Sequence, residues 1–238
     1  MLFRSGFDRW LKQQKIKRVY QGRNIVSVSS AVGQDLVEQF AIQPAQLKTI
    51  YNPFDIAAIR ASADVPFEMA GQDYIIHVGR LHPGKRQDRL IEAYALSHIT
   101  APLVLLGQGK PEQEQRLRAL AEKLGVADRV LFKGFQSNPH SWMKQARMLV
   151  LSSDSEGLGN VVIEALILGT PVASTRCPGG IPEILTGPLA KGLADLNSPA
   201  LAQAMQSIYT NPPIIEQAAL EKFSVETICQ QYRQLSKD

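Results

Sequence analysis

The sequence predicts an α/β protein whose parallel sheet is covered by helices on both faces. Short apolar runs alternate with helical segments along nearly the whole chain. Most of these runs are continuously apolar rather than alternating, which is typical of strands buried on both faces of a parallel sheet. Glycines and charged residues follow several of the runs, where strands of such a sheet end at the ligand-binding edge.

The first three elements are a strand at residues 25–30, a helix at 33–40 and a strand at 47–51. Asn52 and Pro53 break the pattern, and residues 55–71 are rich in loop with one short helix. A regular series then follows. Its strands are predicted at 73–79, 103–107, 129–134, 148–153 and 171–175, and its helices at 86–96, 112–124, 141–146, after Gly159 and at 181–185. A weaker strand near Gly192 and helical signals after Ser198 complete the pattern. We therefore divide the chain into 1–53, the end of one α/β unit, and 54–238, a complete second unit.

Length and composition are those of an ordinary globular protein. The 238 residues, 45% of them hydrophobic and 20% charged, can bury the core of one large or two modest domains. No apolar run approaches the length of a membrane-spanning helix, and residues 1–10 lack the apolar core of a signal peptide. Cys177 and Cys229 stand in no paired motif, so we expect free thiols, buried or partly buried, in a reducing cytoplasm.

The net charge of +4 comes from one short segment. Residues 1–23 hold seven basic side chains against Asp8, which leaves the rest of the chain at −2. The seven are Arg4, Arg9, Lys12, Lys15, Lys17, Arg18 and Arg23. Such a segment is either a solvated helix face or a surface that attracts anionic lipid. Nucleic acid is not expected, because no recognition motif or cluster of stacking aromatics accompanies the charge.

Two cations lie on the loop after the strand at 73–79. Arg80 and Lys85 occur in the stretch HVGRLHPGK, where Gly79 and Gly84 permit close approach of the backbone to a ligand. A guanidinium and an ammonium at this edge of the sheet can neutralise a diphosphate without a metal. The alternative is a pair of exposed surface cations. The GxxxxGK[ST] spacing of a Walker loop is absent.

Two glutamates lie around the turn between the predicted strand at 148–153 and the helix after Gly159. Seven residues separate Glu156 from Glu164, and Gly157 and Gly159 precede the predicted helix. A glycine turn at a helix N-terminus presents free N–H groups, which suit phosphate. Carboxylates suit such a site only if they accept hydrogen bonds from neutral hydroxyls of the same ligand, so the combination predicts a sugar nucleotide. The alternatives are a helix-capping role for Glu156 and a solvated position for Glu164.

Three further features could have either a functional or a purely structural role. Asp154-Ser155-Glu156 resembles an acidic metal-binding triplet, but no third ligand is placed with it, so a metal is not expected. Gly179 and Gly180 either contact an anion or sugar through their N–H groups or serve only the turn. His77 lies within an apolar strand and is expected to be a hydrogen-bonded core histidine, while the other histidines show no ligand spacing.

Four segments together resemble family 4 retaining glycosyltransferases of the GT-B architecture, in which two Rossmann-like domains flank the active site. They are Gly79-Arg80-Leu81 with Lys85, Leu106-Gly107-Gln108-Gly109, Phe132-Lys133-Gly134-Phe135, and Glu156-Gly157 to Glu164-Ala165 followed by Gly169-Thr170-Pro171-Val172. The resemblance runs from about residue 24 to residue 185 and is strongest to bacterial enzymes of lipopolysaccharide, O-antigen and capsule synthesis.

The resemblance implies roles for individual residues. Arg80 and Lys85 match the residues that bind the donor diphosphate, Glu156 the residue that contacts the donor sugar, and Glu164 the residue that binds ribose. The implied catalytic residues are Glu156, Arg80 and Lys85. The implied donor-binding residues are Gly79, Arg80, Lys85, Gly134, Phe135 and Gln136 near the base, Glu156, the segment Leu158, Gly159 and Asn160 at phosphate and sugar, and Glu164.

The resemblance also implies a reaction. A hexose or N-acetylhexosamine passes with retention from a nucleotide sugar, with UDP as the expected carrier, to a lipid-linked or polysaccharide acceptor. No metal or cofactor is expected, and the expected location is cytoplasmic, peripheral to the inner face of the membrane. Within residues 1–53, the part from residue 24 to residue 53 resembles only the end of the family's acceptor domain, so the chain alone is expected to be an incomplete enzyme. A non-catalytic nucleotide-sugar-binding module and a GT-B epimerase remain alternatives, while an oxidoreductase is not expected because GxGxxG is absent.

Overall fold

The structure is a computed structural model that describes residues 6–235, with side chains from Trp10 onward except that of Lys12. Of the basic N-terminal residues, Arg4 lies outside the described residues and the side chains of Arg9 and Lys12 are not described. The other basic side chains follow on or just after the first helix, where Lys15, Arg18 and Arg23 are exposed.

Helices and strands alternate along the chain. The strands are β1 (Asn24–Ser27), β2 (Gln46–Thr49), β3 (Ile75–Val78), β4 (Leu103–Leu106), β5 (Val130–Gly134), β6 (Met148–Leu151), β7 (Val172–Thr175) and β8 (Leu193–Ala194). The helices are α1 (Gly6–Tyr20), α2 (Ser30–Phe40), α3 (Ile56–Ser62), α4 (Gln87–Leu96), α5 (Pro111–Lys123), α6 (His140–Gln145), α7 (Asn160–Ile167), α8 (Ile181–Ile184), α9 (Ser198–Thr210) and α10 (Val225–Leu235). None of these helices has the length and apolar character that a membrane crossing requires.

Six of the strands form one parallel sheet in the order β5-β4-β3-β6-β7-β8. The chain builds outward from β3 to β5, returns to the centre at β6 and builds outward again to β8. The direction therefore reverses between β3 and β6, and in open α/β sheets ligands bind beyond the carboxyl ends of the strands at such a point. This topology confirms the predicted Rossmann-like fold.

Two apolar layers cover the two faces of the sheet. Alternate residues of each central strand belong to opposite layers, so that Ile76 and Leu149 pack on one face while Ile75 and Met148 pack on the other. Helices α3, α6 and α7 supply side chains to the first layer, and α4, α5 and α9 to the second. Burial on both faces explains why the strands are continuously apolar in sequence.

The predicted elements are present, with shifted ends. Residues 50–51 lie outside β2, and residues 211–216 interrupt the predicted helical tail. His77 is confirmed as a core histidine, since it is fully buried and both ring nitrogens have partners. Both thiols are free, but only Cys177 is buried; Cys229 is exposed, contrary to expectation, because it lies on the outer side of α10.

The first two strands form a separate sheet. β1 and β2 pair in parallel, and α2 connects them. The chain then passes into the larger unit at Phe54, whose backbone exchanges hydrogen bonds with Phe223 and Val225 at 2.8 and 3.2 Å. The boundary between residues 53 and 54 remains a prediction.

Candidate functional site

Two loops meet where the sheet reverses direction. The loop after β3 and the loop after β6 are joined by a bond from the Asp154 amide to the Gly84 carbonyl, at 3.0 Å, and by one from Ser152 Oγ to the Lys85 carbonyl, at 2.8 Å. These bonds bring together residues that are about 70 positions apart in sequence. The predicted diphosphate loop and the predicted sugar-contacting turn therefore form one surface.

Lys85 and Glu156 form an ion pair on this surface. Lys85 Nζ lies 2.6 Å from Glu156 Oε1, which also accepts a 2.6 Å hydrogen bond from Ser153 Oγ. The side chains are 29% and 12% exposed, so the pair is partly shielded from water. Because the ammonium neutralises the carboxylate, a phosphate that approaches Lys85 does not meet an uncompensated negative charge.

A second ionic cluster fixes the same two loops. Arg89 is buried, and it donates to the Ser152 carbonyl at 2.8 Å and to Asp154 at 2.7 Å. Arg86 also donates to Asp154, at 3.2 Å, from a backbone φ of 51°, a left-handed conformation that is uncommon outside glycine. Asp154 is thus held between two guanidinium groups, and the acidic triplet of the sequence is used for ion pairing.

Two buried side chains, Gln87 and His77, hold the backbone at Arg80 in place. Gln87 Nε2 donates to the Arg80 carbonyl at 2.9 Å and lies 3.2 Å from His77 Nε2. His77 Nδ1 in turn lies 2.9 Å from the Val150 carbonyl, so its proton is on Nδ1. Burial lowers the pKa of His77 to about 4, which keeps the ring neutral at pH 7.

The Arg80 guanidinium itself is exposed, and within residues 6–235 it has no hydrogen bond or ion pair. It borders a groove of about 880 Å³ between the loop after β3 and helix α5. Lys85 and Ser155 border the same groove, and Leu117 and Arg116 of α5 form its other side. Of the predicted site residues, only Arg80 and Lys85 line this groove.

Glycines let two turns pack closely. Gly179 has a φ of 118°, and a Cβ there would lie 1.5 Å from the Glu156 carbonyl oxygen. A Cβ on Gly180 would lie 2.8 Å from the Leu158 carbonyl oxygen, and the Gly180 amide donates to Gly157 at 3.0 Å. The sequence left two roles open to Gly179 and Gly180, an anion contact or a turn. These contacts favour the turn, because both glycines let their own turn pack against the one that carries Glu156.

The N-terminus of α7 opens directly after this turn. Its N-cap residue is Gly159, with a φ of 95°, and no side chain among those described caps the helix. The first N–H groups of the helix are therefore left for another acceptor. Leu158 is buried in the first apolar layer, whereas Asn160 is exposed and bonds to Asn52 at 2.8 Å.

Glu164 lies one turn further along α7, away from the Lys85 pair. Its side chain is 26% exposed, and its Oε2 is 3.8 Å from His140 Nε2. Burial raises the pKa of Glu164, and only a positive charge on His140 would oppose this. A partly buried carboxylate with unfilled lone pairs is an acceptor for neutral hydroxyls.

The predicted base-binding segment follows β5. Gly134 has a φ of 64° and its carbonyl accepts from Gly107 at 2.7 Å. Phe135 is 66% exposed, and Gln136 turns back to the Lys133 carbonyl. None of the three forms a hydrogen bond with Glu156 or Glu164 in the described part of the chain. No three His, Cys, Asp or Glu side chains of that part are grouped so that they could hold a metal ion.

Comparison with known proteins identifies the family. Residues 61–224, more than half of the chain, match the family described as glycosyl transferases group 1. The chain belongs to this family.

Two relatives carry names that place them in bacterial glycan synthesis. The N-acetylgalactosamine-N,N'-diacetylbacillosaminyl-diphospho-undecaprenol 4-alpha-N-acetylgalactosaminyltransferase of Campylobacter jejuni is 31% identical over 187 residues, which cover 77% of this chain and 50% of the relative. The lipopolysaccharide core biosynthesis glycosyltransferase LpsE of Rhizobium meliloti is 39% identical over 125 residues, 52% of this chain and 35% of LpsE. The chain thus spans half or less of the length of these relatives.

Solved GT-B structures share the fold. HepE of Anabaena, in complex with UDP and glucose, superposes with a TM-score of 0.82 at 24% identity, over 98% of this chain and 67% of HepE. At this identity the likeness shows the fold alone.

In this group 1 glycosyltransferase chain, Glu183 joins the two sheets. Its carboxylate accepts from the amides of Ser30 and Ala31, at 3.2 and 3.1 Å, at the start of α2, and from Tyr51 Oη at 3.2 Å. Ser29 Oγ bonds at 2.8 Å to the Gly157 carbonyl close by. The first α/β unit is therefore fixed beside the turn that carries Glu156.

These donors make the contact dependent on pH. Burial alone would raise the pKa of Glu183, but the amide and hydroxyl donors outweigh it and hold the pKa below its usual value. A carboxylate with a lowered pKa contributes stability that is present above its unfolded-state pKa and is lost as the pH falls through its folded-state pKa.

We therefore expect Glu183→Gln to lower the free energy of unfolding at pH 7 by about 1–2 kcal/mol. The difference from the wild type should shrink toward zero as the pH falls below about 4. Urea unfolding between pH 3 and 7 measures it, with Glu122→Gln on the exposed side of α5 as the control. A difference that stays constant over this pH range would contradict the expectation.

Sequence reasoning missed His140, Ser153, Arg89 and Glu183 as parts of the site. Ser153 lies close in sequence to Glu156, directly after β6, and Arg89 lies close to Lys85, on α4. These positions could have identified both residues as parts of the site. No spacing connects His140 to Glu164 or Glu183 to α2, because those contacts join segments that the fold alone brings together.

Proposed function

We propose that this chain is the donor-binding part of a family 4 retaining glycosyltransferase. The observation that carries the proposal is the meeting of Lys85, Glu156 and the uncapped N-terminus of α7 at the point where the sheet reverses. A diphosphate fits the cations and the helix N-terminus, and sugar hydroxyls fit the carboxylates. In this proposal residues 54–238 bind the donor, and residues 1–53 are the end of an acceptor domain.

The proposed donor is a UDP-hexose or UDP-N-acetylhexosamine. Arg80 and Lys85 bind the diphosphate, Glu156 contacts the transferred sugar, Glu164 binds the ribose, and residues 134–136 lie near the base. Complexes of HepE with UDP and with UDP-glucose support this choice of nucleotide. The backbone N–H groups at Gly159 and Asn160 complete the phosphate site.

The proposed acceptor is lipid-linked or a growing bacterial surface glycan, as the names of the relatives suggest. The acceptor hydroxyl attacks the anomeric carbon from the face that the diphosphate leaves, which retains the configuration. The leaving phosphate takes the acceptor proton, while Arg80 and Lys85 stabilise the charge that develops on it. Exposed cations lie on α1 (Lys15 and Arg18) and just after it (Arg23). They agree with a position of the chain on the inner face of an anionic membrane.

Calorimetry with UDP, GDP, ADP and their sugar conjugates tests the donor site in this chain. We expect saturable binding of one nucleotide, weakened about 10- to 100-fold by Arg80→Ala because a charge-assisted bond to phosphate is lost. Glu164→Ala should also weaken binding. Arg116→Ala is the matched control, since Arg116 is an exposed arginine of the same groove that the proposal leaves unused. If no nucleotide binds at millimolar concentration, the donor-site proposal fails.

A further inference from the structure

A chain of three contacts leads from helix α3 to Glu164. Ser62 Oγ donates to the Ile59 carbonyl at 2.8 Å, within α3. His140 Nδ1 lies 2.7 Å from the same Ser62 oxygen, and His140 Nε2 lies 3.8 Å from Glu164 Oε2. The serine has a single hydroxyl proton, which it donates in the hydrogen bond to the Ile59 carbonyl. The hydrogen-bond network therefore places the imidazole proton on Nδ1 and leaves Nε2 as an acceptor in the neutral ring.

The backbone at His140 is fixed to the same helix. Asn138 Nδ2 donates to the Ser62 carbonyl at 2.7 Å, and Asn138 Oδ1 accepts from the His140 amide at 3.2 Å. The imidazole is thus held both by its own Nδ1 and by the loop that precedes it. This loop follows β5, which ends at Gly134, so it also joins the predicted base-binding segment to His140 at the start of α6.

The cations and anions around this pair are engaged elsewhere. Lys144 of α6 pairs with Asp64, and Arg60 of α3 donates to neutral oxygens. In the part of the chain that the structure describes, the Glu164 carboxylate accepts no hydrogen bond, and His140 Nε2 is the one basic nitrogen within 4 Å of it. The result is two acceptors, a carboxylate and an imidazole nitrogen, side by side and each partly exposed.

We propose that His140 determines the specificity of the donor site for ribose. Nε2 and the Glu164 carboxylate together accept from the neighbouring 2′- and 3′-hydroxyls, which form a pair of donors matched to this pair of acceptors. A 2′-deoxyribose supplies one donor and leaves one acceptor without a partner, which disfavours it. The inference rests on the proposed function, because it requires Glu164 to face the ribose of a nucleotide.

The test compares the affinities of UDP and 2′-deoxy-UDP for the chain by calorimetry. We expect the wild type to prefer UDP at least about tenfold. His140→Asn retains a donor toward Ser62 but places nothing beside Glu164, so the preference should fall to about twofold or less. His140→Gln can place its amide where Nε2 stood and should restore most of the preference. His140→Phe, which keeps the ring volume without either nitrogen, should behave as Asn does.

Thermal unfolding of each variant separates folding from recognition. If the substitutions change the melting temperature and weaken both nucleotides equally, so that the ratio of affinities is that of the wild type, His140 is only structural and the inference is overturned. A wild type that binds both nucleotides with equal affinity overturns it as well. If the wild type binds no nucleotide at all, the proposed function itself has failed, and this outcome differs from both.

Discussion

Replacing Gly179 with alanine is expected to lower the free energy of unfolding by about 3 kcal/mol or more. The new Cβ would lie 1.5 Å from the Glu156 carbonyl oxygen, and the φ of 118° is strained for any residue with a side chain. The clash is with backbone rather than with the end of a flexible side chain, so the turn that carries Glu156 must move. Nucleotide affinity should therefore fall along with stability.

Gly169→Ala is the matched control. Gly169 also has a positive φ, of 80°, but a Cβ there meets no atom within 4 Å. It should cost about 1 kcal/mol from backbone strain alone. Urea unfolding of both variants measures the difference, which reports the close approach of the two turns. Equal losses of stability in the two variants would show that the turns are not packed as described.

The same glycine shows where sequence reasoning ends. The motif Cys177-Pro178-Gly179-Gly180 allowed either an anion contact or a turn, and nothing in the sequence distinguishes them. The distinction depends on Glu156, which lies on another loop. A local sequence pattern indicates which conformations the backbone of one segment can adopt. The requirement for glycine at position 179, however, comes from a contact with a segment that is distant in sequence.

The sheet was predictable for a physical reason. Strands covered on both faces must be apolar at every position, so runs such as Leu103–Leu106 and Met148–Leu151 are visible in the sequence. Their carboxyl ends lie at one edge of a parallel sheet, which is why the loops after β3 and β6 could be expected to share a site. The ends of the elements were less predictable, since a strand ends where its pairing ends, as at Thr49.

The pairing of side chains within the site was not predictable. Arg80, Lys85 and Glu156 each stand out in sequence, but the ion pair of Lys85 with Glu156 depends on the 2.6 Å approach of two loops. The His140–Glu164 contact likewise depends on α6 and α7 packing against each other. Both pairs change the chemistry of the predicted residues, because they alter which charges are free to meet a ligand.

Lys85→Met is expected to weaken nucleotide binding about 10- to 100-fold, through loss of a charge-assisted bond to phosphate. It should also destabilise the chain by about 1–3 kcal/mol, because, among the described residues, the Glu156 carboxylate keeps only the Ser153 hydroxyl as a partner. The Lys85 side chain is 29% exposed, so water moderates this cost, which lies below that of breaking a fully buried pair.

The double variant Lys85→Met, Glu156→Gln separates the two effects. Replacing the carboxylate with a neutral amide removes the unpaired charge, so stability should return to near that of Glu156→Gln alone. Affinity for the nucleotide should stay low if the Lys85 ammonium binds phosphate directly. If affinity returns as well, the loss in Lys85→Met came from repulsion between phosphate and the unpaired Glu156. Lys85 would then act by neutralising Glu156, and Arg80 with the α7 N-terminus would be left to bind the diphosphate.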